Sequence, residues 1–412
     1  MTLAADLRPA ARRPQVTPTR RRSVWSRVDW LLVLAVAGLV GIGTLLVWSA
    51  TLHRVDLTDG TSYAYGLRHL INAGIGAVLG IVVAATDHRW VRIWTPVVYA
   101  LAIVGLGFVL VPGVGREING SLSWIDVGGM SIQPAELAKL GVVVTMALLV
   151  AERFEGRKIG QSLRDRDVLA MLSIAAVPAV LIMLQPDLGT MLVLSATVFG
   201  VVAVAGAPKR WLALLVAGAV GTALAAVALG VLKPYQLDRF GAFVNPGLDP
   251  RGAGYNTTQA RIAIGNGGLT GQGLFDGTQT QAGFVPEQHT DFVYTVAGEE
   301  LGLVGAAAII GLYVLLLWRG LRIALRAGDM FGRLAAAGIV CWFGFQAFQN
   351  IGMCLGIMPV TGVPLPLVSY GGTSMFASVM AVGLLLNIHL RTDRPLGLGL
   401  GVVRSRVLRS RF

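Results

Sequence analysis

The sequence predicts an all-α, polytopic integral membrane protein with about ten transmembrane helices. Both termini are expected in the cytoplasm, with a large external loop between helices seven and eight. Three observations predict this. Hydrophobic residues make up 54% of the 412 residues and charged residues only 14%, against roughly 25% charged in an ordinary soluble domain. Apolar runs of about 20 residues, the length that crosses a bilayer as a helix, recur along the whole chain. The 34 Lys and Arg residues gather in alternate connections between those runs.

In order, the expected spans are 30–50, 67–85, 93–111, 134–151, 168–184, 188–206, 211–232, 291–318, 331–358 and 366–390. The first run is too long for a signal-peptide core and lacks a cleavage site, so it is expected to be a retained helix. No segment is polar and long enough to form a large soluble catalytic module. The domain reading is therefore a basic tail over 1–29, a transmembrane domain over 30–391 and a second basic tail over 392–412.

Orientation follows from the cations. The two tails and the even connections hold 26 of the Lys and Arg residues, among them Arg20, Arg21, Arg22, Arg153, Arg164, Arg319 and Arg391. The opposite loops hold 6: Arg54, Arg116, Lys233, Arg239, Arg251 and Arg261. That bias matches the positive-inside rule and requires an even number of spans. The net charge of +12 thus needs no nucleic acid partner, and the tails are expected against anionic membrane lipids.

Cys341 and Cys354 fall on one expected helix, about 20 Å apart along its axis, which is too far for a disulfide. Two external loops stand out, at 112–133 and 233–290. The second is rich in Gly, Asn, Gln and Thr and carries Asp238, Asp249, Asp276 and Glu287. A loop this long without structure of its own is usually functional or disordered, and its mixed composition favours function. No repeat of fixed period is visible, which weighs against the inverted repeats of many transporters.

Ionisable groups inside spans are expensive, so each is a candidate for function. Glu136 and Lys139 lie three apart, on one helix face and close enough to pair. They either hold two helices together or line a polar cavity that opens outward. Arg68 either snorkels to the external interface or offers its guanidinium fork to phosphate. Asp187 stands where an N-cap belongs, and it equally suits a cavity between helices. Asp291 lies in Pro286-Glu-Gln-His-Thr-Asp-Phe292, where the long loop meets the eighth span. It too can cap a helix, or it can serve as a general base. Desolvation would raise its pKa and a helix N-terminus would lower it.

Other motifs carry no chemistry. Asp165-Arg-Asp167 resembles a metal-binding Asp-x-Asp but sits in a short, Arg-rich cytoplasmic connection. The Gly-rich stretch 265–273 matches neither a dinucleotide fingerprint nor a P-loop. Gly76-x-x-x-Gly80, Gly298-x-x-x-Gly302 and Gly352-x-x-x-Gly356 are expected to be close helix contacts.

From about Trp30 to Arg391 the chain resembles the SEDS family (shape, elongation, division and sporulation), its RodA branch more than its FtsW branch. The runs that carry the resemblance are Glu117-Ile-Asn-Gly120 leading to Trp124-Ile125, Gln133-Pro-Ala-Glu-Leu-Ala-Lys139, Gln185-Pro-Asp-Leu-Gly-Thr190, 259–273, 286–300 and 359–372. The RodA flavour comes from Gly277-Thr-Gln279, Glu287-Gln-His-Thr-Asp291 and the Pro359 to Pro366 run before Ser369-Tyr-Gly-Gly372.

The resemblance implies a glycosyltransferase that polymerises lipid II on the external face of the bacterial cytoplasmic membrane, for cell-wall elongation and cell shape. It implies a class B penicillin-binding transpeptidase as partner. On that reading Asp291 takes the proton from the acceptor 4-hydroxyl. Arg68 and Lys139 face the pyrophosphate, Glu136 holds Lys139, Trp124 offers a flat surface to a sugar, and Asp187, Glu287 and Ser369 join the same substrate cavity. No cofactor is demanded. A divalent cation at the pyrophosphate is compatible with the sequence, which holds no dedicated metal-ligand cluster. Ser123 departs from the family, which often has a basic residue directly before this Trp.

Two other readings stand beside this one. A flippase for the lipid-linked precursor needs polar access from the cytoplasmic side, whereas the polar groups here gather externally. A scaffold without activity needs neither a membrane-buried Glu-Lys pair nor a long polar external loop.

Overall fold

A computed structural model describes residues 24–54, 61–118, 120–128, 130–154, 163–230, 234–245, 247, 249 and 252–392. The basic tails expected against lipid lie outside the described residues, apart from the short 3-10 turn Val24–Arg27 and the last residues before 393. Among the described residues, nine helices are long and apolar enough to cross a membrane: α1 (Trp30–Thr51), α2 (Ala64–Ala85), α3 (His88–Val109), α4 (Pro134–Phe154), α5 (Asp165–Leu184), α7 (Lys209–Ala228), α12 (Gly302–Arg326), α13 (Met330–Leu355) and α14 (Gly372–Thr392). A tenth apolar helix, α6 (Leu188–Val204), is one turn shorter. These ten correspond one to one with the expected spans, and the chain is a multi-pass membrane protein.

The bundle is built around α4, the most buried spanning helix, with α13 and α14 next. Small residues let the inner helices approach. A Cβ on Gly338 of α13 would meet Val143 of α4 and Val201 of α6, and one on Gly200 of α6 would run into Cys341 of α13. The outer faces of α2 and α3 present Ile75, Val78, Ile81, Leu101 and Val104 to the surroundings, as lipid-facing helices do. Helix α7 has no fully buried side chain, and only Trp211, Leu212 and Leu215 near its start pack partly against the core.

The inner end is tied by charge. Asp29 caps α1 and accepts a fork from Arg319 of α12, at 2.6–3.0 Å. The Asp-x-Asp motif belongs to the same kind of clasp. Asp167 accepts from Arg153 of α4, and Asp165 accepts from Arg210 and Trp211 of α7.

Three expectations change at the outer end. The loop 112–133 folds into a small antiparallel sheet, β1 (Gly115–Ile118), β2 (Ser121–Val127) and β3 (Met130–Ile132), in that order. The long loop is not structureless but holds α8 (Pro234–Val244), α9 (Ala253–Asn266) and the five-residue α10 (Thr278–Ala282). The span expected over 291–318 is broken. A short helix, α11 (Val293–Glu300), ends before Gly302, where φ is +65° and α12 begins.

The break leaves backbone groups that must be satisfied, because an unpaired peptide group is costly wherever water is scarce. The Gly-rich stretch satisfies them. Gln272 N and Gly273 N donate to the carbonyls of Glu299 and Glu300, and Leu303 N and Val304 N donate to those of Gly268 and Leu269. Only glycines permit this approach. A Cβ on Gly267 would lie 1.9 Å from Gly298 O, and one on Gly271 would lie 2.0 Å from Glu300 O. Glu299 then fastens α10 by accepting from the amides of Gln279 and Thr280 and from the Thr280 hydroxyl.

Of the three Gly-x-x-x-Gly pairs, Gly76 and Gly80 do pack on another helix, against Val379 of α14. Gly298 packs on Ile264 of α9, but Gly302 is the break itself. Gly356 caps α13 in the left-handed region rather than meeting a neighbouring span.

Candidate active site

The outer ends of the helices surround a cavity of about 800 Å³. Its wall is assembled from α2 (Tyr65, Arg68, Asn72), the sheet (Arg116, Glu117, Ser123, Trp124), the turn before α6 (Asp187), α8 (Tyr235, Arg239), the segment before α11 (Glu287, His289, Thr290, Asp291) and the segment before α14 (Gly362, Tyr370). All of these lie on the side expected to be external.

Asp291 sits just before α11 and outside the membrane-spanning helices. Its backbone carbonyl is gripped by Asn350 Nδ2 of α13 at 2.7 Å, which fixes where the side chain starts. The carboxylate reaches the cavity. Burial pushes its pKa up from 3.8 to about 7, and the negative charge of Glu287 adds to the rise. Its own backbone amide, the Thr290 hydroxyl and Arg239 pull the other way. The Thr290 hydroxyl lies 3.3 Å from Asp291 Oδ1, 3.1 Å from Glu287 Oε2 and 3.1 Å from the Glu287 carbonyl, so its one hydrogen is shared among three acceptors. Glu287 holds a left-handed φ of +52°, strain of the kind that clusters at active sites.

The other flank of the carboxylate is kept open by Gly362. Its φ is +70°, and a Cβ there would lie 3.6 Å from Asp291 Oδ2. Beside it, Tyr65, His289 and Tyr370 form an aromatic corner with centroid separations of 4.9–5.8 Å. Arg68 lies over the Tyr65 ring at 5.4 Å and hydrogen-bonds the Tyr370 hydroxyl. Its guanidinium is thus aimed along the wall rather than snorkelling away.

Across the cavity rim, Trp124 of β2 pairs with Arg116 of β1. Ser123, where a cation would be expected, is buried and hydrogen-bonded to Ser121, which also donates to Gln185 O. Asp187 is the expected N-cap and also lies at the cavity wall. It caps α6 through Thr190 N (2.9 Å) and Thr190 Oγ1 (2.8 Å), and it accepts from Gln133 Nε2 at the cavity wall.

Five of the eight residues singled out in the sequence therefore line one cavity: Asp291, Arg68, Trp124, Asp187 and Glu287. Glu136, Lys139 and Ser369 do not. Lys139 Nζ is fully buried beneath the cavity floor, 2.8 Å from Glu136 Oε1 and 2.7 Å from Gln346 Oε1. Gln346 in turn accepts from Trp342 Nε1 and donates to Pro364 O. The expected contact of Lys139 with pyrophosphate is replaced by a brace from α4 through α13 to the segment that carries Gly362. Ser369 Oγ accepts from Leu365 N and holds a turn of that same segment. Sequence reasoning missed Tyr235, Arg239, His289, Gly362 and Tyr370. Tyr235 and Arg239 alone had a local signal, their helical spacing opposite an apolar face. Among the described residues no cluster of three or more metal-ligating side chains occurs.

A family model described as "Cell cycle protein", covering FtsW, RodA and SpoVE, matches residues 29–394, and the chain belongs to this SEDS family. It is 39% identical over 360 residues to stage V sporulation protein E of Bacillus subtilis, covering 87% of this chain and 96% of that one. It is 35% identical over 372 residues to the peptidoglycan glycosyltransferase MrdB of Escherichia coli K12, covering 90% and 96%. Two of the solved structures similar to it are these. One is described as "Structural coordination of polymerization and crosslinking by a peptidoglycan synthase complex", with TM-score 0.72, 34% identity, and 89% and 99% of the chains covered. The other is the rod shape determining protein RodA of Thermus thermophilus, with TM-score 0.65, 33% identity, and 90% and 100% covered.

Proposed function

We propose that this chain is a peptidoglycan glycosyltransferase of the cytoplasmic membrane that polymerises lipid II on the external face, in elongation of the wall. The observation that carries the reading is Asp291: a carboxylate held near neutrality, reaching an outward cavity that is wide enough for sugars and close to lipid. A general base works best when its pKa lies near the working pH.

Asp291 takes the proton of the acceptor 4-hydroxyl while that oxygen bonds to the anomeric carbon of the growing glycan. The bond from that carbon to the pyrophosphate oxygen breaks, the configuration inverts, and undecaprenyl pyrophosphate leaves with the electron pair. Arg68, fixed by Tyr65 and Tyr370, meets the negative charge that develops on the leaving group. Trp124 offers a ring face to a sugar. Gly362 leaves room for the acceptor oxygen beside Oδ2. The residues need no cofactor for these steps.

The complex described for one similar structure couples polymerization with crosslinking. The partner proposed here is a class B penicillin-binding transpeptidase. The test is lipid II polymerisation by the purified full chain with that partner. Asp291→Asn is expected to abolish polymer while leaving the protein folded in the membrane, and polymer at the wild-type rate would sink the assignment of the base.

A further inference from the structure

Helix α8 has two opposite faces, and neither is explained by the fold alone. At 3.6 residues per turn, Tyr235 and Arg239 share one face, and both line the cavity. Leu237, Phe240 and Val244 share the other, and all three are exposed. The hidden side chains of this helix, Gln236 and Ala242, lie on the flanks and the cavity side, so among the described residues nothing buries the apolar stripe.

The position of that stripe is constrained by covalent continuity. Spanning helix α7 ends at Ala228 and α8 begins at Pro234, so only five residues connect them. Even fully extended they reach less than about 20 Å. The start of α8 is therefore held at the external surface of the bilayer. It is fixed there from the protein side as well, since Tyr235 Oη donates to Gly120 O at 3.2 Å. An apolar stripe on a short helix tethered at this depth matches an in-plane interfacial helix.

We propose that α8 seats Leu237, Phe240 and Val244 among the outer-leaflet acyl chains and presents Arg239 to the pyrophosphate of a lipid-linked substrate passing from the bilayer into the cavity. The second half rests on the glycosyltransferase reading above. The pairing suits a molecule that is itself a lipid tail joined to a pyrophosphate. One face of a single helix meets the tail's solvent while the other meets the charged group. The Arg239 guanidinium lies over the Tyr235 ring at 5.4 Å, which steadies it within reach of the cavity, and a planar fork suits phosphate oxygens.

The test uses nitroxide labels on single cysteines at positions 237, 240, 244 and 238. The full chain is reconstituted in vesicles of phosphatidylethanolamine and phosphatidylglycerol, with labelled wild type as the blank for Cys341 and Cys354. Labels at 237, 240 and 244 are expected to collide with oxygen and to be shielded from a water-soluble nickel chelate. The label at 238, on the exposed flank of Asp238, should show the reverse. Ready access of nickel to the first three would overturn the seating in lipid. So would protection from both reagents, which would mean that a second copy or a partner protein covers the stripe.

For Arg239, binding of farnesyl pyrophosphate and of farnesol is compared in wild type and Arg239→Gln. The pyrophosphate is expected to bind about tenfold or more weakly to the variant, with the alcohol unchanged. Equal weakening of both ligands, or of neither, would overturn the role of Arg239. None of these readouts requires turnover, so failure of the wild type to polymerise lipid II would count against the catalytic reading alone.

Discussion

Replacing Glu287 by Gln tests how the base is tuned. The Asp291 carboxyl is displaced from 3.8 to about 7, with burial the larger cause and Glu287 the second. Glu287 therefore supplies less than half of the upward push, part of which the backbone amide, the Thr290 hydroxyl and Arg239 offset. Its side chain is exposed, so solvent also screens it. A share on the order of one pH unit, about 1.4 kcal/mol, follows.

The base acts when deprotonated, so the wild-type rate should rise with pH through a midpoint near 7. Removing a neighbouring negative charge lowers the pKa, so the Glu287→Gln midpoint should fall toward about 6. At pH 6 about a tenth of the wild-type base is ionised against about half in the variant, a gain of roughly fivefold relative to each protein's plateau. The assay is the pH dependence of kcat/KM for lipid II polymerisation, which reports the free enzyme. The difference should shrink at high salt. An unmoved midpoint, or one that moves upward, would refute the coupling between these two carboxylates.

Two further substitutions probe the supports of the site. Lys139→Met leaves Glu136 buried without its cation, which typically costs about 3–5 kcal/mol, whereas pairing it with Glu136→Gln should recover most of the loss. Thermal unfolding in detergent measures both, and a double variant as unstable as the single one would contradict the brace. If Lys139 met pyrophosphate instead, the double variant would be stable and yet inactive. Gly362→Ala places a methyl beside Asp291 Oδ2 in a left-handed backbone that disfavours it by about 1–2 kcal/mol. Polymerisation is expected to fall at least about tenfold with folding retained, and an undiminished rate would show that the acceptor does not approach past residue 362.

Much of the architecture is legible in the sequence because lipid imposes a single demand, about 20 apolar residues per crossing. That demand locates ten segments, and the cations orient them. It does not say that a helix breaks, although Glu299 and Glu300, two carboxylates inside the expected eighth span, stand directly before the break at Gly302. The satisfying partners for that break, Gly268, Leu269, Gln272 and Gly273, lie some thirty residues earlier, and no local pattern marks them for that role.

The site divides in the same way. Asp291 is legible because a carboxylate at the edge of an apolar run is conspicuous. Glu136 and Lys139 are legible as a pair from their spacing, but spacing states which side chains face each other and not what faces them. Gln346, 207 residues from Lys139, turns that pair into a brace, and no local pattern announces it. Arg239 had a usable signal. The alternation of Tyr235 and Arg239 with Leu237, Phe240 and Val244 is an amphipathic period, hidden inside a loop first read as irregular.

The joint between the Gly-rich stretch and the broken helix also sets an order of events during synthesis. It takes carbonyls from one side of the break and amides from the other, and it pairs them with backbone that was made earlier. It cannot close until the residues after the break have been made. While α12 is still being threaded into the bilayer, α11 has no fixed end, and Asp291 has no fixed position. The setting of Asp291, which also needs Asn350 of α13, is therefore complete only after the two helices that follow the break have been made.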